Sequence, residues 1–278
     1  SQSFQIVLFQ ELIDKDDLTA YRNFVKQYPA HPNKLAAEDS VYVKSIQNRS
    51  IQEYRNFIQQ NPTNQNVGKA WRSIYKLYTA NYSAKIIQDF KQQFPEYPFK
   101  EELQQDFNLA NELFLPFKKN GLWGFMNDSG TIKISAQFTF VESFSEGLAL
   151  VGLEDKLGYI DKLGDVVVPF EFEEAYSFKN GIAIVGKNQH FGVINRVNRS
   201  VVPFKYDFIE PFHSNIALAA SELGYGFISS AGKELTSFDF SYATDFYEGY
   251  ALVTKGGKMA LLDTSFQVII AFNYTKLS

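Results

Sequence analysis

The sequence predicts an α+β protein with the two classes in separate domains: α-solenoid-like helical hairpins over residues 1–112, then an all-β array over residues 113–278. Three observations predict it. Of the chain's glycines, Gly68 alone lies before position 113. Helices avoid glycine, whereas tightly turned strands need it. One motif recurs at Tyr21, Tyr54 and Ile87, a constant 33-residue step, and a different one recurs with a 34-residue step in the second part.

In the first part, Tyr21-Arg22-Asn23-Phe24-Val25 returns as Tyr54-Arg55-Asn56-Phe57-Ile58 and, more faintly, as Ile87-Gln88-Asp89-Phe90-Lys91. Tyr21, Phe24, Val25 and Tyr28 fall at i, i+3, i+4 and i+7, one face of a helix. Pro29, Pro62 and Pro95 close the copies, because a proline ring cannot continue the helical ladder. A second helix lies between the prolines, with Ala70, Ile74, Leu77 and Tyr78 on its apolar face. Ala37 and Tyr42 stand one period ahead of Ala70 and Tyr75. A helix pair at this spacing reads as a solenoid. Over residues 16–110 it resembles tetratricopeptide-like repeats, through the small alanine and the terminal proline. The Trp-Leu-Gly-Tyr signature of that family is absent. Trp71, Tyr75, Tyr78 and Tyr82 are read as inter-helix core rather than as a ligand stripe.

In the second part, Gly124, Gly158, Gly192 and Gly226 are evenly spaced, with Ala260 in the next place. Each lies in an apolar run that ends on a turn-former, as in Leu157-Gly158-Tyr159-Ile160-Asp161. Alanine at 260 implies a need for a small side chain rather than for positive φ. Another backbone or an aromatic ring is therefore expected to pass close over the site. Gly130, Gly164, Asn198 and Gly232 show the Gly/Asn exchange of left-handed backbone, as do Gly147, Gly181, Asn215 and Gly249. Phe266 breaks the first series, so its turn is expected to differ in shape. Third strands are expected over Thr131–Ser135, Asp165–Pro169, Arg199–Pro203, Lys233–Ser237 and Gln267–Ala271. A loop then leads to Phe144, Phe178, Phe212 and Phe246, one plug between neighbouring units. Five three-stranded antiparallel repeats result.

This array resembles the WG β-repeat family. Its Trp-Gly pair is literal at Trp123-Gly124, and Phe178-Lys179-Asn180-Gly181-Ile182-Ala183 matches its downstream stretch. The resemblance implies tandem β repeats, common in bacterial proteins, often beside other modules and mostly without an assigned activity. It supplies no catalytic residue. Leu115 at one end and Ala260 with Phe266 at the other depart from the repeat. Such capping units favour an open spiral over a closed five-bladed propeller.

Little is left for chemistry. With no cysteine, the chain has no disulfide, thiol nucleophile or thiolate metal site. His31, His190 and His213 lack a second histidine at ligand spacing. His31 belongs to a turn, and His190 is expected at an exposed strand edge. Asp161 and Asp263 share their turn position with Asn127, Asn195 and Ser229, a pattern of backbone capping. Glu171, Glu173 and Glu174 form an acidic cluster, read as solvated rather than as the paired carboxylates of a glycosidase. Gly256-Gly257 reads as a hairpin turn.

The expected function is a non-catalytic protein-interaction scaffold of bacterial type, without cofactor or metal and with another protein as partner. The alternative is a glycan- or peptide-binding module of the cell envelope; a hydrolase is the remote one. The net charge of −4 includes no basic cluster suited to nucleic acid, and no apolar run is long enough to span a membrane. The chain starts at Ser1, read as a mature or trimmed form. The compartment stays open, with a lean to the periplasm, cell surface or secretion.

Overall fold

The computed structural model describes residues 2–274, with side chains from Phe9 to Ala271. The chain divides into two compact units, residues 1–111 and 112–278.

The first unit opens with α1 (Gln2–Lys15). Three hairpins follow: α2 (Leu18–Gln27) with α3 (Lys34–Ser45), α4 (Ile51–Gln60) with α5 (Val67–Tyr78), and α6 (Ala84–Gln93) with α7 (Lys100–Ala110). Their starts keep the step of the sequence motif without drift. Asp17, Ser50 and Ser83 cap α2, α4 and α6, accepting hydrogen bonds from the N–H groups of Ala20, Glu53 and Ile86 at 2.8, 3.2 and 3.2 Å. Each cap satisfies a donor that the helix start would otherwise leave open. Ser50 and Glu53 complete a reciprocal capping box. Tyr21, Tyr54 and Ile87, then Phe24, Phe57 and Phe90, are buried in one continuous core. Ala37 and Ala70 are fully buried where the paired helices meet. The aromatic stripe is core, as the sequence implied. Trp71 packs edge-on against Phe94 and Tyr97, Tyr75 meets Phe90 at 4.9 Å, and Tyr78 touches Phe90 and Phe94. The Tyr75 and Tyr82 hydroxyls both donate to the Asp106 carboxylate.

The second unit is a succession of small antiparallel sheets. β1 (Phe114–Lys119), β2 (Leu122–Asn127) and β3 (Ile132–Phe138) make the first. β4 (Phe140–Val141), β5 (Leu148–Leu153), β6 (Lys156–Asp161) and β7 (Val166–Phe172) make the second. β8 (Glu174–Ala175), β9 (Ile182–Lys187), β10 (His190–Asn195) and β11 (Ser200–Tyr206) make the third. β12 (Phe208–Ile209), β13 (Ile216–Ser221) and β14 (Gly224–Ser229) form the fourth. β15 (Tyr242–Ala243), β16 (Tyr250–Lys255), β17 (Lys258–Asp263) and β18 (Val268–Tyr274) form the fifth.

Two expectations are corrected here. The loop before each Phe plug carries a two-residue strand that joins the next sheet, so most sheets have four strands. A single residue separates it from the strand or bridge before: Thr139, Glu173, Asp207 and Ser241. Their N–H groups already donate into the next sheet, to the carbonyls of Gly152, Gly186, Ala220 and Thr254 at 2.8–2.9 Å. In the fourth unit the strand expected over Lys233–Ser237 is reduced to isolated bridges. There the Phe227 N–H donates to the Thr236 hydroxyl at 3.0 Å, so a side chain takes the place of the backbone ladder.

The repeated glycine meets what its small size predicted. Between Leu157 and Tyr159 the register of β6 against β7 shifts, because β7 carries a bulge. A Cβ on Gly158 would lie 2.8 Å from the Val168 carbonyl oxygen and 3.1 Å from the Phe170 ring. Gly192 faces Val202 and Phe204 in the same way, and Gly226 faces the Phe238 ring. These aromatics reach the preceding unit: Phe138 stacks with Phe170 and Phe172 with Phe204, and Tyr206 meets Phe238 as a tilted pair at 5.4 Å. The plugs pack as expected, Phe144 against Phe125 at 4.8 Å and Phe178 against Tyr159 at 4.7 Å. Hydrophobic clusters join the second sheet to the third, the third to the fourth, and the fourth to the fifth. Leu115 is exposed, whereas its equivalents Ala149, Ala217 and Ala251 are fully buried, consistent with a capping role for the first unit.

The turn at Phe266 does not differ from the others. Phe266 has φ +61, beside +80, +89, +53 and +86 at Gly130, Gly164, Asn198 and Gly232. Its N–H donates to the Asp263 carbonyl at 2.8 Å, the same turn bond as in the earlier units. A left-handed phenylalanine costs about 1–2 kcal/mol. The ring offsets this by packing on Phe227 and Phe246 at 5.5 and 5.8 Å. Gly256-Gly257 is a hairpin turn with positive φ at both residues, as read.

Two measurements follow from this packing. Gly158→Ala is expected to destabilise the β unit by about 1–3 kcal/mol through overpacking, and Ala260→Gly by about 1 kcal/mol or less; urea denaturation followed by fluorescence compares them. In the helical unit, burial pushes the Tyr42 hydroxyl from 10.0 up to about 12. Burial also raises Tyr54, Tyr75 and Tyr97, with the Asp106 charge adding to the effect at Tyr75. Unfolded tyrosines ionise at pH ~10 while the buried ones stay neutral, so stability is complete below that pH. It is expected to fall as pH rises through 10 towards 12, with tyrosinate absorbance emerging together with helix loss.

Candidate functional site

The structure assigns local roles to most residues that could carry chemistry. His31 is buried, and its Nδ1 accepts the Asn33 N–H at 3.0 Å. One period later Asn64 Oδ1 accepts the Asn66 N–H at 2.8 Å, so His31 acts as a turn residue. His190 does not lie on an exposed edge. It begins β10, which is flanked by β9 and β11, and it is half-buried beside a groove shared with Phe204, Tyr206 and Leu223. The strand expected to be an edge is central because β11 pairs along its far side. His213 Nε2 is exposed and lies 3.8 Å from Asp245 Oδ2, too far for a hydrogen bond.

The three glutamates do not converge. Glu171 pairs with Lys187 at 3.5 Å and accepts from Asn198, Glu173 pairs with Lys156 at 3.1 Å, and Glu174 lies on the short β8. The Lys156 hydrogen bond holds the Glu173 carboxyl below its ordinary range. Asp161, Asn195 and Asp263 each accept two backbone N–H groups of their own turn through Oδ1, as the turn reading required. Among the described residues no cluster of His, Asp or Glu could hold a metal ion, and no helix is long and apolar enough to cross a membrane.

What the β unit does present is a cavity of about 360 Å³. It opens among the plug loops of successive units. Tyr176, Ile182, Ile184 and Phe212 supply apolar walls, with Pro211 at the side. Glu142, Ser177, Asn180, Asn215 and Ser230 supply polar groups, and Lys179 stands exposed at the rim. Glu142 is held by the Ser177 hydroxyl, which donates to Oε2 at 2.6 Å. Below it the Tyr159 hydroxyl donates to the Tyr176 carbonyl at 2.6 Å, which fixes the loop. Burial, with the Glu142 charge second, pushes the Tyr159 hydroxyl above the ordinary tyrosine range, so it remains a neutral donor.

The reason for an opening here lies in the repeat. Lys162, Arg196 and Ser230 occupy one and the same position in the turns of successive units. Lys162 Nζ donates to the Glu112 carbonyl at 2.7 Å, and the buried Arg196 guanidinium donates to the Glu146 carbonyl. Both bonds reach back by 50 positions, to the same point of the preceding unit. Ser230 is too short to reach the equivalent Asn180; its hydroxyl contacts Asn215 Oδ1 at 3.2 Å instead.

The arrangement defines a tandem β-repeat unit with an inter-repeat cavity. The family model for the WG containing repeat matches residues 123–156, 158–189, 191–220 and 225–258, so the array is similar to that family. No curated protein matches the sequence. Among solved structures, Hsv2p of Kluyveromyces lactis is similar at 11% identity and TM-score 0.34, over 55% of this chain and 59% of that one. A eukaryotic initiation factor is similar at 13% identity and TM-score 0.37, over 61% and 54%. A protein of unknown function from Bacteroides caccae is similar at 11% identity and TM-score 0.26, over 57% and 77%. This chain thus spans under two thirds of the first two. Likenesses this weak say nothing of function.

The buried Arg196 link gives a direct test of how the units are tied. Arg196→Met keeps most of the packing but removes the bond to the Glu146 carbonyl. It is expected to cost about 1–3 kcal/mol, read as a shift of the denaturation midpoint.

Proposed function

We propose that this chain is a non-catalytic, protein-binding scaffold of bacterial type, in which a tetratricopeptide-like helical unit and a WG-repeat array both serve as interaction surfaces. The observation that carries the reading is the 360 Å³ cavity. Its size is at the lower end of ligand pockets, and it combines apolar walls with a few converging polar groups. Support also comes from the residues of ordinary catalysis. His31, Glu171 and Glu173 are each held by a separate local partner rather than by a nucleophile or a base. The glycan reading draws on exposed rings such as Tyr247, yet Phe178, a repeat-phased aromatic, is buried.

The full chain used as bait is expected to retain a protein in near-stoichiometric amount from extracts of its native organism. Ser177→Trp, which puts an indole into the cavity, is expected to reduce that retention about tenfold. Retention unchanged by this substitution would remove the cavity from the reading. A glycan-array signal with no protein retained would favour the glycan alternative.

A further inference from the structure

The cavity is the imprint of a side chain that the repeat elsewhere supplies. In the second unit Lys162 occupies this place, its ammonium 5.4 Å from the Phe114 ring centre and bonded to the Glu112 carbonyl. In the third, Arg196 fills it, buried and bonded to the Glu146 carbonyl. In the fourth, Ser230 leaves the same volume open, and both Ser230 and Asn180, whose carbonyl is the equivalent acceptor, line the cavity. Ile182 takes the place of Phe114 as the floor for an aliphatic stem.

We propose that this cavity receives the guanidinium of an arginine side chain presented by the partner protein, in the position Arg196 fills one repeat earlier. The proposal rests on the binding reading above and names its chemistry. An arginine stem suits apolar walls while its head seeks acceptors. The Tyr176 and Phe212 rings can face the planar cation. Glu142, in the lining, supplies an anion for charge-assisted hydrogen bonds. Lys179 is the opposing charge; it is exposed at the rim, where solvent screens it.

The test titrates the full chain with acetyl-Gly-Arg-Gly-amide and with its citrulline counterpart, which keeps the shape and loses the charge. Methyl resonances of Ile182 and Ile184 report binding. The arginine peptide is expected to saturate with a Kd on the order of 1 mM, and the citrulline peptide to bind at least about tenfold more weakly. Glu142→Gln is expected to weaken the arginine peptide about three- to tenfold. Ser230→Arg, which restores the repeat's own side chain, is expected to keep or raise the melting temperature and to abolish peptide binding.

Equal affinity for citrulline and arginine would overturn the proposal, as would undiminished binding by Ser230→Arg. Free L-arginine binding more tightly than the blocked peptide would overturn the assignment to a protein partner. If Ser230→Arg loses the captured protein while no arginine preference is found, the scaffold reading stands and this proposal fails. If neither protein nor peptide binds the wild-type chain, both fail.

Discussion

The β unit depends on one steric constraint: a strand can carry no more than a hydrogen or a methyl where the next strand bulges over it. At Gly158 and Gly192 the vacated space is taken by a backbone carbonyl and by the Phe170 and Phe204 rings. Those rings then stack on Phe138 and Phe172 of the preceding unit. A local requirement for smallness thus becomes a cohesive contact between units. A single small sheet buries too little apolar surface to persist alone, so its stability comes from neighbours. The first unit has Ala136 at the place of Phe170, and it has no earlier unit on which such a ring could stack.

Much of this is legible in the sequence because it repeats. The evenly spaced glycines, the Gly/Asn exchanges and the turn residues Asp161, Asn195 and Asp263 each reflect a local requirement that only a few residue types satisfy, and repetition turns single weak signals into a pattern. The helical periodicity is legible for the same reason, although the capping series Asp17, Ser50 and Ser83 emerges only with the helix starts in place. What the sequence hides is non-local. Backbone preference alone misjudges Phe266, because the ring contacts that hold it left-handed come from Phe227 in the preceding unit and from Phe246 at its border. The two-residue strands β4, β8, β12 and β15 are too short to carry an alternating pattern.

The cavity is hidden for another reason: it is defined by an absence. Lys162, Arg196 and Ser230 share a repeat position, yet Asp128 and Thr264 at the same phase blur the series. Only the two bonds to carbonyls of the preceding unit reveal that this position spans between units. In a tandem array the units that conform maintain the architecture. A unit that departs from the pattern without collapsing leaves chemistry available to something else, so function is best sought at such exceptions.

The one-residue crossings at Thr139, Glu173, Asp207 and Ser241 have a mechanical consequence. Each is hydrogen-bonded into the sheet that follows, with no slack on either side. Tension along the chain would therefore load backbone ladders directly, without first straightening a linker. The array should extend like a stiff spring and yield by peeling whole sheets, in contrast to domains strung on flexible tethers, which separate before they unfold.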